Sequence, residues 1–449
     1  MRFRVINSKE IYREGRFDGS YHNAEAIIYD NIIKAHSSHN LDYYCTDIFT
    51  SGRNKRVYTS KEFGYPFLSN SDAASQNPFS SCKYNSKKYG YDESAVLKAG
   101  MILTGRVGAI GQTSFVPKYW EELNAMGSDN IIRIVVKPEY KNGYIYAYLA
   151  SRIGNLQFWK HATGGVQPFI TDAMVGELPI PDFPERFQIK VDDLIKESSN
   201  LRDEAANALE KAHKLIEDYF SYFENTSRNS VNVKNIFADN IRFDASYHLS
   251  DSINYEKVIE SFGYKLLSDL CDDIYGGGRS KRYYTTDRSK GVPYLSNSDL
   301  SKANPLRTCK YSLKSKAIDS EMLKEGMIVT GRVGAIGQTQ IIGSQFDTMQ
   351  VMASDNVIRI IPKKDNGYIY AFLSSHIGRV LFWKYATGGV QPFISSSMVG
   401  KIKIPLLSRK VIEECNQLIE SYSIKIEESN LKEDMAILMV ESEIEKWNN

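Results

Sequence analysis

Between residues 191 and 222, apolar and small residues recur alternately three and four positions apart: Val191, Leu194, Ser198, Leu201, Ala205, Ala208, Ala212, Leu215, Tyr219 and Tyr222. That interval keeps them on one stripe of an α-helix and leaves the charged residues on the other face. A second stripe runs through Ile412, Cys415, Ile419, Tyr422 and Ile426, lapses at Ser429 and Glu433, and resumes with Ile437, Val440, Ile444 and Trp447. Each stripe predicts a helix roughly 45 to 50 Å long at 1.5 Å per residue. Two such seams are best buried against one another as an antiparallel coiled coil acting as a spacer, the alternative being that each helix packs on its own neighbouring module.

The remaining sequence has a different texture. Short β-type runs, Ile102-Leu103-Thr104 and Asn130 to Val136 among them, are separated by glycine-rich turns, and one helix is expected from Gly143 to Trp159 with a counterpart over 367 to 383. The fold class expected is α+β. The modules end at Ile180-Pro181 and Ile404-Pro405, where proline blocks a helix from continuing and allows a new one to begin.

These two modules are one unit written twice. The stretch Arg16-Phe17-Asp18-Gly19-Ser20-Tyr21-His22 returns as Arg242-Phe243-Asp244-Ala245-Ser246-Tyr247-His248, 226 residues later. GRNKRVYT (52 to 59) returns as GRSKRYYT (278 to 285). MILTGRVGAIGQT (101 to 113) and FWKHATGGVQPFI (158 to 170) each return with a single change, at 327 to 339 and 382 to 394. The organisation is a module over 1–182, a helix over 183–228, a second module over 229–406 and a second helix over 407–449.

Composition narrows the function classes. The net charge of +2 hides a partition: residues 183–225 carry −4 and 408–449 carry −5, which leaves +11 on the rest of the chain. A basic, tyrosine-rich surface suits a polyanion tracked by counterion displacement. No run is apolar enough to span a membrane and the opening residues lack a signal-peptide core, so a cytoplasmic protein is expected. The five cysteines, Cys45, Cys82, Cys271, Cys309 and Cys415, have neither disulfide-frame nor zinc-knuckle spacing.

The candidate contacts come in matched sets. Arg53, Lys55, Arg56 and Tyr58, with Arg279, Lys281, Arg282 and Tyr284, sit in loops beside glycine. There lysine reaches phosphates and arginine pairs bidentately with guanine, unless the loop is simply a solvated turn. The GRVGAIG stretches have GxxGxxG spacing and no following Lys-Ser/Thr, so they read as tight turns rather than phosphate loops. Arg106 and Arg332 within them contact the DNA backbone or form structural salt bridges. Gln167 and Gln391, in TGGVQPFI, either pair with adenine or anchor the loop to its own backbone.

Enzyme signatures are incomplete. Asn77-Pro78-Phe79 falls short of the tetrad that holds a flipped adenine, and its counterpart Asn304-Pro305-Leu306 falls shorter. Asp129 with Glu139-Tyr140-Lys141 suggests magnesium-dependent cleavage, but the second copy keeps only Asp355. His22 and His248 lack metal-ligand spacing, so local hydrogen bonding is expected of them, and neither catalytic nor metal residues are assigned.

Leu97-Lys98-Ala99-Gly100-Met101-Ile102 ahead of TGRVGAIG, the later tyrosine-leucine helix, the glycine-glutamine loop and the Ile-Pro exit into a long helix occur twice in the same order. In this layout the whole chain resembles the specificity subunits of type I restriction-modification systems. Gly-Met stands where Gly-Asp is usual, and Pro184 to Ile189 matches the customary helix start only loosely.

The resemblance implies two tandem target-recognition domains in a pseudo-twofold arrangement, each reading one half of a bipartite site in double-stranded DNA. It implies two modification (methyltransferase) subunits as partners, which bind S-adenosylmethionine, and restriction subunits that use ATP and magnesium. The chain itself would bind no cofactor and catalyse nothing. The alternative is the same reading role in another methylation-based defence system or in a bifunctional type II restriction-methyltransferase.

Overall fold

A computed structural model describes residues 5–17, 19, 21–53, 55–220, 245–248 and 250–447. The predicted seam position Tyr222, the repeat block Arg242-Phe243-Asp244, the boundary at 229, and Asp18, Ser20 and Asn54 lie outside the described residues. The chain divides into two compact units. Unit 1 is Met1–Asp203 with Glu428–Asn449, and unit 2 is Glu204–Glu427.

Unit 1 is built on two four-stranded sheets. The first runs in the order β1 (Cys45–Thr50), β8 (Ile131–Val136), β5 (Ile102–Gly105), β6 (Thr113–Phe115), antiparallel throughout. The second is β2 (Tyr58–Thr59), β4 (Lys83–Ser86), β3 (Gly64–Leu68), β7 (Met126–Gly127), with β3 and β7 parallel. Strand β8 is apolar on both faces because both are covered. Ile132 and Ile134 join a core with Tyr144, Tyr148 and Phe158, while Ile131 joins a second core with Leu68, Leu97 and Trp120.

On that second face Arg133 is fully buried. Its guanidinium donates to the carbonyls of Gly127 (2.6 Å), Ile131 (2.8 Å), Ala95 (3.2 Å) and Ser128 (3.4 Å). A buried charge is tolerable only with such a partner set, and here it ties β8 of one sheet to the end of β7 in the other and to the turn at Glu93–Ala95. Burial brings the Arg133 guanidinium down to about 10, still charged at neutral pH.

Unit 2 repeats the plan with β9 (Cys271–Gly276), β10 (Tyr284–Thr285), β11 (Gly291–Leu295), β12 (Lys310–Leu313), β13 (Ile328–Gly331), β14 (Thr339–Ile341), β15 (Met352–Ala353) and β16 (Val357–Pro362), in the orders β9-β16-β13-β14 and β10-β12-β11-β15. Arg359 takes the place of Arg133, buried and donating to the carbonyls of Glu321, Ala353, Ser354 and Val357.

The helix expected over Gly143 to Trp159 is two helices, Asn142–Ala150 and Arg152–His161. Ser151 breaks it: its backbone is extended and its hydroxyl accepts from Gly154 N at 2.9 Å, capping the second helix. The copy over 367 to 383 is likewise Asn366–Ser374 and His376–Tyr385, divided at Ser375. A serine inside an apolar periodicity is a cap that the periodicity alone does not disclose.

The two long helices span Glu185–Glu217 and Arg409–Lys446. In unit 1 they pair antiparallel, Phe183 stacking on Trp447 at 4.6 Å at one end and Ser198 bonding Ser429 at 2.9 Å at the other. Within unit 2 the helices also pair antiparallel, Lys425 on Glu204 and Cys415 Sγ 3.9 Å from Ala212 O.

Both packing modes considered from sequence are realised, since the helices bury against each other and against the modules. Gly143 N donates to Asp192 at 2.8 Å, and a Cβ on Gly143 would lie 2.8 Å from that carboxylate, so only glycine allows the approach. The lapse expected at Ser429 and Glu433 is a correction: both are buried on the seam. Glu433 accepts from Arg202 at 2.6 Å and from the Tyr146 hydroxyl, so the stripe continues through a polar layer. The first helix also buries Ile195, Leu209 and Ile216, while the predicted Leu194, Leu201 and Leu215 are half-buried. A helix covered from two sides needs a wider stripe than a strict heptad supplies. Among the described residues no helix is long and apolar enough to cross a membrane.

Candidate nucleic-acid interface

The basic loop of unit 1 links β1 to β2, and its arginines converge on a single acid. Arg56 Nη2 lies 2.5 Å from Asp129 Oδ1 and Arg53 Nε lies 3.7 Å from Oδ2, with the carboxylate largely buried. The Arg56 guanidinium also covers the Phe67 ring at 5.3 Å. In unit 2, Arg282 and Arg279 meet Asp355 at 2.9 and 3.6 Å, and Arg282 covers Tyr294 at 5.6 Å. Asp129 follows β7 and precedes β8, so its position is fixed by both sheets. Lys55 and Lys281 stand exposed between the paired arginines. Tyr58 and Tyr284, also exposed, are faced by Lys83 at 4.6 Å and Lys310 at 4.9 Å.

Backbone bonds draw the other candidates to the same place. Arg106 N donates to Asn130 O at 2.8 Å, one residue beyond the acid, and Arg106 O accepts from Ile170 N at 3.0 Å. The GRVGAIG segment is thus a tight turn between β5 and β6, as its spacing suggested. Thr163 and Phe169 exchange backbone bonds of 2.9 and 2.7 Å, closing a short loop over Gly164-Gly165-Val166-Gln167-Pro168. Gly164 has φ +100°, a left-handed conformation that excludes most side chains. Asn356, Arg332 and Ile394 repeat the chain at 2.8 and 3.0 Å, and Gly388 repeats the φ of +100°.

At the loop tip Val166 and Val390 have no burial at all, and Gln167 and Gln391 are exposed beside them. Neither glutamine side chain has a hydrogen-bond partner among the described residues, and neither Arg106 nor Arg332 has an ion-pair partner among them. The structure gathers all twelve sequence-proposed residues into two sets of six, one per unit.

In unit 1, Arg16, Tyr21 and His22 of the RFDxSYH block hold the root of this loop. Arg16 donates to Ala162 O at 2.6 Å, at the root of the loop, and stacks on Tyr21 at 4.8 Å. His22 Nε2 bonds the Arg16 carbonyl at 2.8 Å, the local role expected of it. Lys160 and Asp30 form a buried pair at 2.8 Å next to Tyr21. Burial, followed by the Lys160 ammonium, lowers the neighbouring His161 to about 4.

Sequence reasoning missed the acids. Asp129 was weighed as part of a cleavage constellation, yet its carboxylate is occupied by arginine. The repeated Ser-Asp-Asn at 128 to 130 and 354 to 356 was the available signal. Lys83 and Lys310 were missed as well, being isolated in sequence and brought beside the tyrosines only by strand pairing. Asn77-Pro78-Phe79 is a turn, Ser80 N bonding Asn77 O at 3.2 Å.

No protein-family model matches the chain, and no curated protein matches it. Among solved structures the chain is similar to the S subunit of a type I restriction-modification system from M. genitalium, at 13% identity over 91% of this chain and 94% of that chain, with a TM-score of 0.34. It is also similar to the HsdS subunit from Thermoanaerobacter tengcongensis, at 14% identity over 91% of this chain and 95% of that chain, with a TM-score of 0.28.

Proposed function

We propose that this chain is the DNA-specificity subunit of a type I restriction-modification system, each unit reading one half of a bipartite duplex site. The observation that carries the reading is the same cluster built twice: two arginines braced on one acid, an exposed lysine, a lysine-faced tyrosine, and a glycine-flanked loop ending in valine and glutamine. Such a surface supplies what duplex reading needs. Lysine reaches phosphate oxygens, and guanidinium and amide groups address base edges in the groove. Bracing by Asp129 and Asp355 fixes the arginines in advance, so less side-chain entropy is lost on binding.

The chain supplies the address and no catalysis. Methyl transfer belongs to two modification subunits carrying S-adenosylmethionine, and cleavage to restriction subunits using ATP and magnesium, with the assembly working in the cytoplasm. An unpartnered apolar stripe on the second long helix supports docking: Leu431, Met435 and Leu438, at i, i+4 and i+7, are each more than half exposed.

Mapping methylated bases in cells with and without the gene tests the reading. A bipartite methylation motif that vanishes on deletion is the expected result, and an unchanged methylome would refute it. Methyl transfer by the purified chain alone would refute the non-catalytic part.

A further inference from the structure

Resting on that reading, we infer that both units recognise the same half-site, so that the target is one short base word present twice. A recognition word is set by which side chains reach the groove, how far they project, and what holds them. All three agree between the units at the braced arginines, the lysine-faced tyrosine and the valine-glutamine loop.

Arg53 and Arg279 have side chains 93% and 90% exposed and are each held by the same kind of acid. Tyr58 and Tyr284 are both 44% exposed, and Val166 and Val390 are 103% and 104% exposed. Phe169 and Phe393, at the loop base, are 37% and 38% exposed. The bracing is repeated atom for atom, through the carboxylates of Asp129 and Asp355 and the backbone bonds at Arg106 and Arg332.

Paralogous modules under selection to read different words would differ first at these exposed tips, where substitution costs the fold least. Here the arginines, lysine and tyrosine of the basic loop and the whole Gly-Gly-Val-Gln-Pro-Phe loop are identical; the basic loops differ only at Asn54 against Ser280 and Val57 against Tyr283, and the other differences lie elsewhere. His161 becomes Tyr385 below the loop, Phe67 becomes Tyr294 beneath the braced arginine, and the buried Glu321 stands where unit 1 has Ala95. At the flanks the cations change identity and keep their sign. Arg288, three residues before Gly291 in unit 2, stands where unit 1 has Lys61, three residues before Gly64. Cations that keep their charge while changing type are suited to phosphate contacts, which carry no base information.

The experiment is selection from a pool of duplexes with a randomised tract, using the full chain at about 0.15 M salt, followed by sequencing of the retained duplexes. Enrichment of one word occurring twice, in either relative orientation, is the expected result. Enrichment of two unrelated words would overturn the inference and leave the proposed function standing. No enrichment at all would overturn both.

A second measurement fixes the assignment to residues. Arg56→Ala should relax one base position in one copy of the word, and Arg282→Ala the equivalent position in the other copy, each at least tenfold in the enrichment ratio. Relaxation at non-equivalent positions would overturn the inference even if the word were doubled.

Discussion

Replacing Asp129 by asparagine keeps the shape of the brace and removes its charge. In the parent protein the carboxylate cancels about one of the two arginine charges it holds, at 2.5 and 3.7 Å. The substitution therefore adds about one net positive charge to the surface proposed to face phosphates. Each extra phosphate neutralised steepens the dependence of log K on log salt by about 0.9, which at 0.15 M corresponds to about fivefold tighter non-specific binding, or about 1 kcal/mol. Asp129→Asn with Asp355→Asn should give the product, about 25- to 30-fold.

Sequence discrimination should move the other way. The arginines are then no longer oriented, and a misplaced bidentate contact forfeits about 1 to 3 kcal/mol of discrimination. Fluorescence anisotropy on a selected duplex and on an unrelated one, across a salt series, reads both effects. Looser non-specific binding, or an unchanged ratio of selected to unrelated affinity, would refute the view of these acids as braces.

Three further outcomes follow from the packing. Glu433→Ala removes an acceptor shared by the Tyr146 hydroxyl and the partly buried Arg202, which keeps Asn430, and should destabilise unit 1 by about 1 to 3 kcal/mol in urea unfolding, whereas a smaller loss would show that water replaces the contact. His161, held down to about 4, stays neutral in the folded state while the unfolded chain takes up a proton below about 6.5. Stability should therefore fall as pH drops through that window, by about 3 kcal/mol in all, and His161→Tyr, the residue present at 385, should remove this component; an unaltered pH profile would contradict it. Val166→Asp places a carboxylate at the loop tip without touching the core, so it should weaken DNA binding at least tenfold at unchanged thermal stability, and equal affinity would mean that the tip does not face the duplex.

What could be read from sequence was whatever repeats or alternates. The twofold repetition, the two long helices, the GRVGAIG turns and the local role of His22 follow from spacing and residue type. What resisted depends on the partner across a gap in sequence. Ser429 and Glu433 look like a broken stripe until Ser198, Arg202 and Tyr146 are seen to face them. Arg133, in a strand otherwise made of Ile and Val, gives no hint that four backbone carbonyls receive it. Asp129 looked chemically available because the arginines that occupy it lie more than seventy positions earlier.

The long helix ending near Trp447 has a consequence for the order of assembly. Unit 2 is a contiguous stretch, Glu204–Glu427, whereas unit 1 is closed by Glu428–Asn449. The pocket formed by Phe183 and His36 receives Trp447 only after every residue of unit 2 has been translated. On the ribosome the earlier-synthesised domain must wait, with the apolar stripe from Val191 to Ile195 uncovered, while the later one can already fold. A premature stop codon within the final helix would therefore damage the amino-terminal half of the protein first.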